Sequence, residues 1–280
     1  MSPGTLYLVA TPIGNLEDLT YRARRILAEV DLIACEDTRH TRHLLVHYGI
    51  TTRTLSFHEH NEAARTSELL QRLQRGEDVA LVSDAGTPAV SDPGYPLVRE
   101  AAAAGISVVS VPGPSAVMAA LTVSGLPPDR FVFLGFLPRR LGERRRALEA
   151  AAALPWTLVF FEAPHRITAV LEDIEAVLGD RRVALARELT KKFEEVFRGT
   201  VADALGHLRA HTPRGEFTIV VEGTGETGKQ KEGEADAGER MRALLDAGLP
   251  PAEAVQDVMR TAGLTRRQAY DLMLRARGKR

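Results

Sequence analysis

Short apolar segments alternate with longer amphipathic segments along the first 111 residues of the chain. The apolar segments predict five buried strands, at residues 6–9, 31–35, 53–57, 79–82 and 107–111. The amphipathic segments between them predict helices that end near residues 29, 48, 75 and 104, the first of them capped by Thr20. Strands and helices that alternate at this spacing are typical of a parallel sheet with helices packed on it.

Polar loops, or loops rich in glycine and proline, follow every one of these strands. The segment 80–94, ALVSDAGTPAVSDPG, is the most distinctive, because a strand ends near Asp84 and two turns follow. The carboxyl ends of parallel strands meet at one edge of a sheet, where ligands bind. Asp84 followed by Gly86 favours a ligand with hydroxyl groups or a positive charge, since glycine permits close approach to the backbone. Asp92 is predicted to cap the next helix, with Pro93 at its first position.

The second half of the chain is less regular. Further strands are predicted at residues 131–136, 157–161, 182–186, 193–199 and 216–221, with helices ending near residue 153 and spanning 167–178 and 201–209. Adjacent strands that are joined without a long helix predict a mixed second sheet. We therefore expect an α/β fold with two domains, residues 1–113 and 114–222.

The C-terminal part of the chain differs in composition from the rest. Residues 223–238 are rich in glycine and charge and predict a linker, whereas residues 239–280 predict short helices with helix-turn-helix-like turns, the last helix capped by Thr265. Residues 238–280 carry nine Lys or Arg and five acidic residues, although the whole chain has a net charge of −1. This basic segment indicates an anionic partner such as nucleic acid, or else a solvated helical face.

Apolar content, the lack of long apolar runs and the single cysteine indicate where the protein is located. The chain has 280 residues, 44% of them apolar, which is enough for a sizeable core. It contains no run of 18 apolar residues, and its first residues lack the features of a signal peptide. The single cysteine, Cys35, lies in an apolar run and is expected to be a buried packing residue rather than a catalytic thiol. These features favour a cytoplasmic protein with no membrane association.

Three familiar ligand motifs are incomplete. Residues 223–229 match the G-x4-G-K spacing of a phosphate-binding loop, but Gln230 replaces the Ser or Thr that would hold magnesium. The first loop, TPIGN, lacks the G-x-G-x-x-G pattern of a dinucleotide site. His58 and His60 have no matching cluster of ligands elsewhere, so no metal site is expected.

The complete set of loops resembles one known family. The segments ATPIGNLEDLT, CEDTR, HEHN, SDAGTPAVSDPG, PGPSA, FLGFLP, FEAPHR, ARELTK and GEFTIVVEG follow one another in this order over residues 5–222. Together they closely resemble the tetrapyrrole (corrin/porphyrin) methylase superfamily. The loop TPIGN stands where the small-molecule enzymes have a Gly-rich loop, which favours the branch that modifies RNA.

This resemblance implies a homodimer that binds the methyl donor S-adenosylmethionine in a cleft between two α/β domains. Transferred motif by motif, the implied cofactor-binding residues are Pro12, Ile13, Asp84, Gly86, Thr87, Ser115, Ala116, Phe161, Glu162, Ala163 and Thr218. Asp84 could face either the ribose hydroxyls or the ammonium group of the cofactor, and the sequence leaves both open.

The reaction implied by the RNA branch is methylation of a ribose 2′-hydroxyl on a cytidine in the decoding region of 16S ribosomal RNA, within the assembled small subunit. Proton removal from that hydroxyl requires a base, for which the candidates are Glu36, Asp37, Glu188 and Lys191. The candidate RNA contacts are Arg39, His58, Arg139, Arg140, Arg187, Arg266 and Arg267, with the basic run 139–146 as a whole.

Two other functions fit the same fold. A small-molecule tetrapyrrole C-methyltransferase is disfavoured by the TPIGN loop and the basic C-terminal segment. A non-catalytic RNA-binding assembly factor is disfavoured by the intact SDAGTP and PGPSA loops.

Overall fold

The computed structural model describes residues 2–210, 212–224, 237–262, 264 and 266–277. The chain divides into two compact units, residues 1–151 with 157–222, and residues 152–156 with 223–280. The first unit contains two five-stranded sheets and the second unit is helical. The α/β class with a C-terminal helical segment, which the sequence predicts, is confirmed.

The first sheet is entirely parallel. Its strands, in the spatial order β3-β2-β4-β1-β5, are β1 Thr5–Val9, β2 Leu32–Cys35, β3 Thr54–Ser56, β4 Val79–Val82 and β5 Ser107–Val111. The accompanying helices are α1 Tyr21–Glu29, α2 Thr38–His47, α3 Glu62–Gln74, α4 Tyr95–Ala103 and α5 Ala116–Ser124. All five carboxyl ends therefore lie at one edge, as the alternation of elements predicts.

Apolar side chains alternate between the two faces of this sheet. Ile33 and Cys35 of β2 belong to one buried cluster, and Leu32 and Ala34 belong to the cluster on the opposite face. This period of two is the expected consequence of strand geometry, and it places a helical layer over each face. The Cys35 thiol is fully buried, and burial raises its pKa, so it is a packing residue.

Helix α4 starts later than the sequence predicts. Its N-cap is Gly94, not Asp92, and its first residue is Tyr95 instead of Pro93. Gly94 has a φ of 138°, which residues with a side chain rarely adopt, and its amide donates to Glu62 Oε1 at 2.7 Å. The prediction was wrong because Asp followed by Pro is a common sequence at the start of a helix. Here Gly94, the residue after this pair, occupies the N-cap position instead.

The second sheet is mixed, as predicted. Its strands, in the order β6-β7-β10-β8-β9, are β6 Phe131–Phe136, β7 Thr157–Glu162, β8 Arg182–Arg187, β9 Glu195–Thr200 and β10 Phe217–Val221. Only β6 and β7 are parallel to each other among the paired strands of this sheet. Its helices are α6 Leu141–Ala151, α7 Ile167–Leu178 and α8 Val201–Ala210.

Helix α5 connects the two sheets. It follows the last strand of the first sheet, and its side chains Val117, Ala120 and Leu121 pack in one cluster with Val159 and Val220 of the second sheet. The sequence analysis missed this short helix. Its buried positions join the two halves of the first unit through apolar contact.

The described residues of the second unit form three helices, α9 (237–246), α10 Pro251–Ala262 and α11 Arg266–Arg277. Buried Met241, Val258 and Met273 belong to their common core. The predicted cap Thr265 lies outside the described residues, as do residues 225–236 of the predicted linker and most of the phosphate-loop-like motif. Across the described part of the chain, no helix combines the length and apolar character needed to cross a membrane.

Candidate functional site

A cavity of about 380 Å³ lies where the loops of the two sheets meet. The first sheet supplies Ile13 after β1, the loop after β4 and the start of α5, and the second sheet supplies the ends of β6, β7 and β8. Because β10 is antiparallel to β7 and β8, Phe217 pairs with Glu162 and with Arg187. The first residues of β10 therefore join the same edge and complete the cavity.

Backbone contacts hold the loops after β1 and β4 together. Thr11 and Gly86 exchange two hydrogen bonds, of 2.9 and 3.0 Å, and the Thr11 hydroxyl donates to the Ser83 carbonyl at 3.1 Å. Gly86 has a φ of 83°, a conformation that glycine adopts without strain. The central loop is therefore fixed against the first loop before any ligand arrives.

Unfavourable backbone conformations are concentrated at this cavity. Within the described part of the chain, the non-glycine residues with positive φ are Ala89, Ser91, Glu188 and Thr190. The first two belong to the loop after β4, and the other two to the loop after β8. Such conformations cost about 1–3 kcal/mol each and persist where the surrounding structure imposes them, often at ligand sites.

The cavity wall is largely apolar, with aromatic rings and acidic groups. The rings of Phe136 and Phe161 are tilted by 58° to each other, with centroids 5.6 Å apart. Among the described residues that line the cavity, one is basic and five carry carboxyl groups: Lys191, and Asp84, Asp92, Glu162, Glu188 and Glu216. An apolar wall with an excess of carboxyl groups fits an organic ligand that carries positive charge.

Glu162 organises the turn after β7. Its side chain is fully buried, its Oε1 accepts from the Ala163 amide at 2.8 Å, and its Oε2 lies 3.3 Å from the Arg166 guanidinium. Arg166 also donates to the carbonyl of Leu137, at 2.7 Å. Burial raises the pKa of Glu162 despite these partners. The pair thus ties the end of β7 to the segment after β6.

Three acidic side chains interact after β2 and β4. Asp84 Oδ1 accepts from the Asp37 amide at 3.1 Å, which links the two loops. Burial and the nearby Glu36 carboxylate raise the pKa of Asp92 to about 6, although a hydrogen bond with Ser83 opposes the shift. Burial and Asp84 likewise raise the pKa of Glu36.

Lys191 is held by two carboxylates. Its Nζ lies 2.9 Å from Glu188 Oε1 and 2.8 Å from Glu216 Oε2. Burial lowers the pKa of Lys191, but the hydrogen bonds to Glu216 and Glu188 outweigh burial, and the net shift is upward. At Glu188, hydrogen bonds from the Lys191 ammonium and the Glu216 amide outweigh burial, and the net shift of its pKa is downward. Lys191 is therefore a fixed ammonium, not a base.

Ten of the eleven predicted cofactor residues line this one cavity. They are Ile13, Asp84, Gly86, Thr87, Ser115, Ala116, Phe161, Glu162, Ala163 and Thr218. Pro12 lines an adjoining cavity instead. Sequence reasoning missed Asp92 and Phe136, although the two-turn loop and the FLGFLP motif that carry them were both noted.

The four candidate bases fall into different environments. Glu188 and Lys191 line the cavity, whereas Glu36 and Asp37 lie beside it in the loop after β2. The Asp37 carboxylate caps α2 by accepting from the Arg39 amide at 2.8 Å. Its hydrogen bond to the Arg39 side chain lowers its pKa to about 2, so Asp37 is a poor proton acceptor.

The candidate RNA contacts belong to several different elements of the two units. Arg39 and Arg140 have exposed side chains that pair with Asp37 and Glu143 respectively. Arg187 pairs with Glu195 at 2.9 Å. Arg139, Arg266 and Arg267 are exposed, and His58 is half-buried in the loop after β3.

Arg144, in the predicted basic run, is not available to RNA. Its guanidinium is buried and donates to Asp173 of α7 at 2.7 Å, and Arg145 donates to the other oxygen of the same carboxylate. The expectation of a continuous RNA-binding run over 139–146 is therefore wrong at Arg144. The described residues contain no group of three or more His, Cys, Asp and Glu side chains arranged to hold a metal.

Comparison with known proteins gives consistent results. Residues 5–205 match the family model described as Tetrapyrrole (Corrin/Porphyrin) Methylases. The chain is 48% identical over 280 residues to Ribosomal RNA small subunit methyltransferase I of Escherichia coli O157:H7, covering 99% of this chain and 97% of that protein. It is 47% identical to the protein of the same name from Synechocystis sp., covering 97% and 98%.

The fold also matches solved structures. The crystal structure of diphthine synthase superimposes with a TM-score of 0.64 and 16% identity, and the match covers 79% of this chain and 90% of that one. Identity this low supports the fold alone.

Proposed function

The chain belongs to the tetrapyrrole (corrin/porphyrin) methylase family of S-adenosylmethionine-dependent methyltransferases, and we propose that it methylates small-subunit ribosomal RNA. The proposed acceptor is the 2′-hydroxyl of a cytidine in the decoding region. The observation that carries the proposal is the convergence of ten family-motif residues on one cavity.

The cavity fits S-adenosylmethionine in size and chemistry. Its volume of about 380 Å³ lies in the usual range for small-molecule sites. Phe136 and Phe161 offer apolar surface to the adenine, and the carboxyl groups of the wall complement the positive sulfonium and ammonium. Small residues such as Gly86 and Ala163 would allow the cofactor to contact the backbone closely.

The reaction is a nucleophilic substitution at a methyl group. When bound, S-adenosylmethionine supplies an electrophilic methyl on a positively charged sulfur. As the ribose oxygen bonds to the methyl carbon, the carbon–sulfur bond breaks and the hydroxyl proton must pass to a base. The fixed loops of the protein hold the two reactants in line, which removes much of the entropic barrier.

We assign proton acceptance to Glu188. Among the four candidates it is the carboxylate that lines the cavity, and its Oε1 is anchored by Lys191 and by the Glu216 amide at 3.0 Å. Its strained backbone, with a φ of 49°, fixes where the carboxylate points. Asp37 caps α2 and does not line the cavity, and Lys191 stays protonated.

Similarity along nearly the whole chain favours RNA over a tetrapyrrole as the acceptor. The relatives named as ribosomal RNA methyltransferases match 97–99% of the chain, including its basic C-terminal segment. The first loop, TPIGN, also differs from the Gly-rich loop of small-molecule enzymes. We further propose that the substrate is the assembled subunit in the cytoplasm and that the enzyme is a homodimer.

Methyl transfer from labelled S-adenosylmethionine tests this proposal. The acceptors are small ribosomal subunits from cells that lack the modification, the corresponding naked RNA, and a tetrapyrrole precursor. We expect label on the subunit RNA and none on the tetrapyrrole. Label on the tetrapyrrole alone would replace the proposal with C-methylation of a small molecule, and cofactor binding without any transfer would favour an assembly factor.

A further inference from the structure

A second cavity, of about 500 Å³, adjoins the first. It lies between the loop after β1, the loop after β4 and the first turns of α2. The two cavities share Ile13, Asp84, Ala85, Lys191 and Glu216. These shared residues therefore form a common boundary, and ligands bound in the two cavities would lie next to each other there.

The second cavity differs chemically from the first. His40 and His43 add imidazole groups to its wall, and Thr11 and Ser83 add hydroxyl groups. Asp84 and Glu216 line both cavities, whereas the rings of Phe136 and Phe161 line the first cavity only. His40 and His43 are three residues apart on α2, so they occupy neighbouring positions on one helix face, and both are exposed.

The surface around the second cavity is basic. Arg39 and Arg42 are exposed on the same helix as the two histidines. Arginine and histidine side chains are suited to phosphate and ribose oxygens of a nucleic acid backbone. A single-stranded nucleotide that entered here would thus meet hydrogen-bond donors along its backbone.

We propose that this second cavity receives the target nucleotide, with His40 and His43 contacting its sugar-phosphate backbone. This inference rests on the proposed function, since it supplies the acceptor site for the same reaction. The acceptor ribose then lies against the shared residues, facing the methyl donor in the first cavity.

Lys191 is the positioning residue at this boundary. An ammonium group has three donors, and the ion pairs with Glu188 and Glu216 account for two of them. The third can donate to a ribose oxygen. Gly14 keeps Lys191 at the boundary, because a Cβ at position 14 would lie 2.4 Å from Lys191 Cγ.

Steady-state kinetics of the double variant His40→Ala, His43→Ala tests the proposal. The acceptor is the unmodified small subunit, and cofactor affinity is measured separately by calorimetry. We expect KM for the subunit to rise about tenfold, because hydrogen bonds to the sugar-phosphate backbone are lost. The Kd for S-adenosylmethionine should stay within about twofold, since neither histidine lines the first cavity.

His47→Ala is the matched control, because His47 is exposed on the same helix but does not line the second cavity. Its KM should equal that of the wild type. If the alanine pair lowers Tm, the pair His40→Gln, His43→Gln replaces it. Unchanged KM in the double variant, with an active wild type, would overturn this inference alone. No transfer by the wild type would overturn the proposed function as well.

Discussion

The residues that make the cavity unusual are conformationally strained or electrostatically disfavoured. Glu188 and Thr190 adopt positive φ, and Asp92 is a carboxyl group with a raised pKa. Sequence reasoning selected Asp84 and Gly86 because their residue types suggest a ligand. It could not detect strain at Glu188, because glutamate has no local preference for that conformation and only tertiary contacts impose it.

Glu188→Gln should reduce kcat by about 10²–10⁴-fold, because an amide cannot accept the hydroxyl proton. The amide oxygen can still accept from Lys191, so the loop and the Kd for S-adenosylmethionine should change little. Single-turnover methyl transfer with saturating cofactor checks this. Asp37→Asn, which alters a cap and not the cavity wall, should retain most of the rate. A Glu188→Gln rate close to that of the wild type would exclude Glu188 as the base.

Asp92→Asn should stabilise the protein at neutral pH and have no effect near pH 4. The pKa of Asp92 is higher in the folded state, about 6, than its ordinary value of 3.8. Between about pH 3.8 and 6 the folded state therefore binds more protons than the unfolded state. The free energy of unfolding falls as pH rises through this range. Allowing for the partial exposure of Asp92 to solvent, we expect Asp92→Asn to raise the free energy of unfolding by about 1–2 kcal/mol above pH 7.

Thermal unfolding of both proteins between pH 4 and 8 measures this difference. The gap in Tm should open between about pH 4 and 6 and then stay constant. A gap that is the same at every pH would show that Asp92 is not held with a raised pKa.

Gly14→Ala should weaken the contact between the first loop and the loop after β8. An added Cβ would lie 2.4 Å from Lys191 Cγ and 2.9 Å from Thr190 Oγ1, so one loop must move. We expect the free energy of unfolding to fall by about 1–3 kcal/mol and the KM for the RNA to rise. Gly206→Ala on α8, whose Cβ would meet no atom within 4 Å, should instead gain up to about 1 kcal/mol. Equal effects of the two substitutions in chemical denaturation would contradict this account.

At the scale of elements, regular strands and helices follow from the sequence, and their ends do not. Strand β5 and helix α7 match the predicted bounds residue for residue. Helix α5 was missed because its residues are apolar on most sides, so it shows little amphipathic periodicity. The start of α4 was misplaced because only the fold shows that position 94 requires glycine: its φ is 138°, and an added Cβ would lie 2.6 Å from Leu81 Cδ2.

Asp173→Ala should be strongly destabilising, because it leaves the buried guanidinium of Arg144 without its carboxylate. Asp173 pairs α7 with two arginines of α6, and its side chain is 4% exposed. Removing one partner of a buried pair costs about 3–5 kcal/mol. Arg140→Ala, which breaks an exposed pair with Glu143 at the start of α6, should cost less than about 1 kcal/mol. Urea denaturation distinguishes the two, and a mild effect of Asp173→Ala would show that the pair is dispensable.

At the scale of the first unit, the site depends on how two sheets of different topology are joined. The prediction that strand ends gather at one edge needed only the parallel order of the first sheet. The contribution of β10 could not be derived in this way, because its first residues reach the cavity only through antiparallel pairing with β7 and β8. The second cavity was also inaccessible to sequence reasoning, since it forms between loops that are far apart in the chain.

The position of the transferred methyl group tests the central claim most directly. Small subunits methylated by the enzyme would be digested to nucleosides, and the labelled nucleoside identified by mass spectrometry. The account predicts cytidine that carries the methyl on its ribose 2′-oxygen, formed by the wild type and lost with Glu188→Gln. Label on a base, or on a nucleoside other than cytidine, would contradict it.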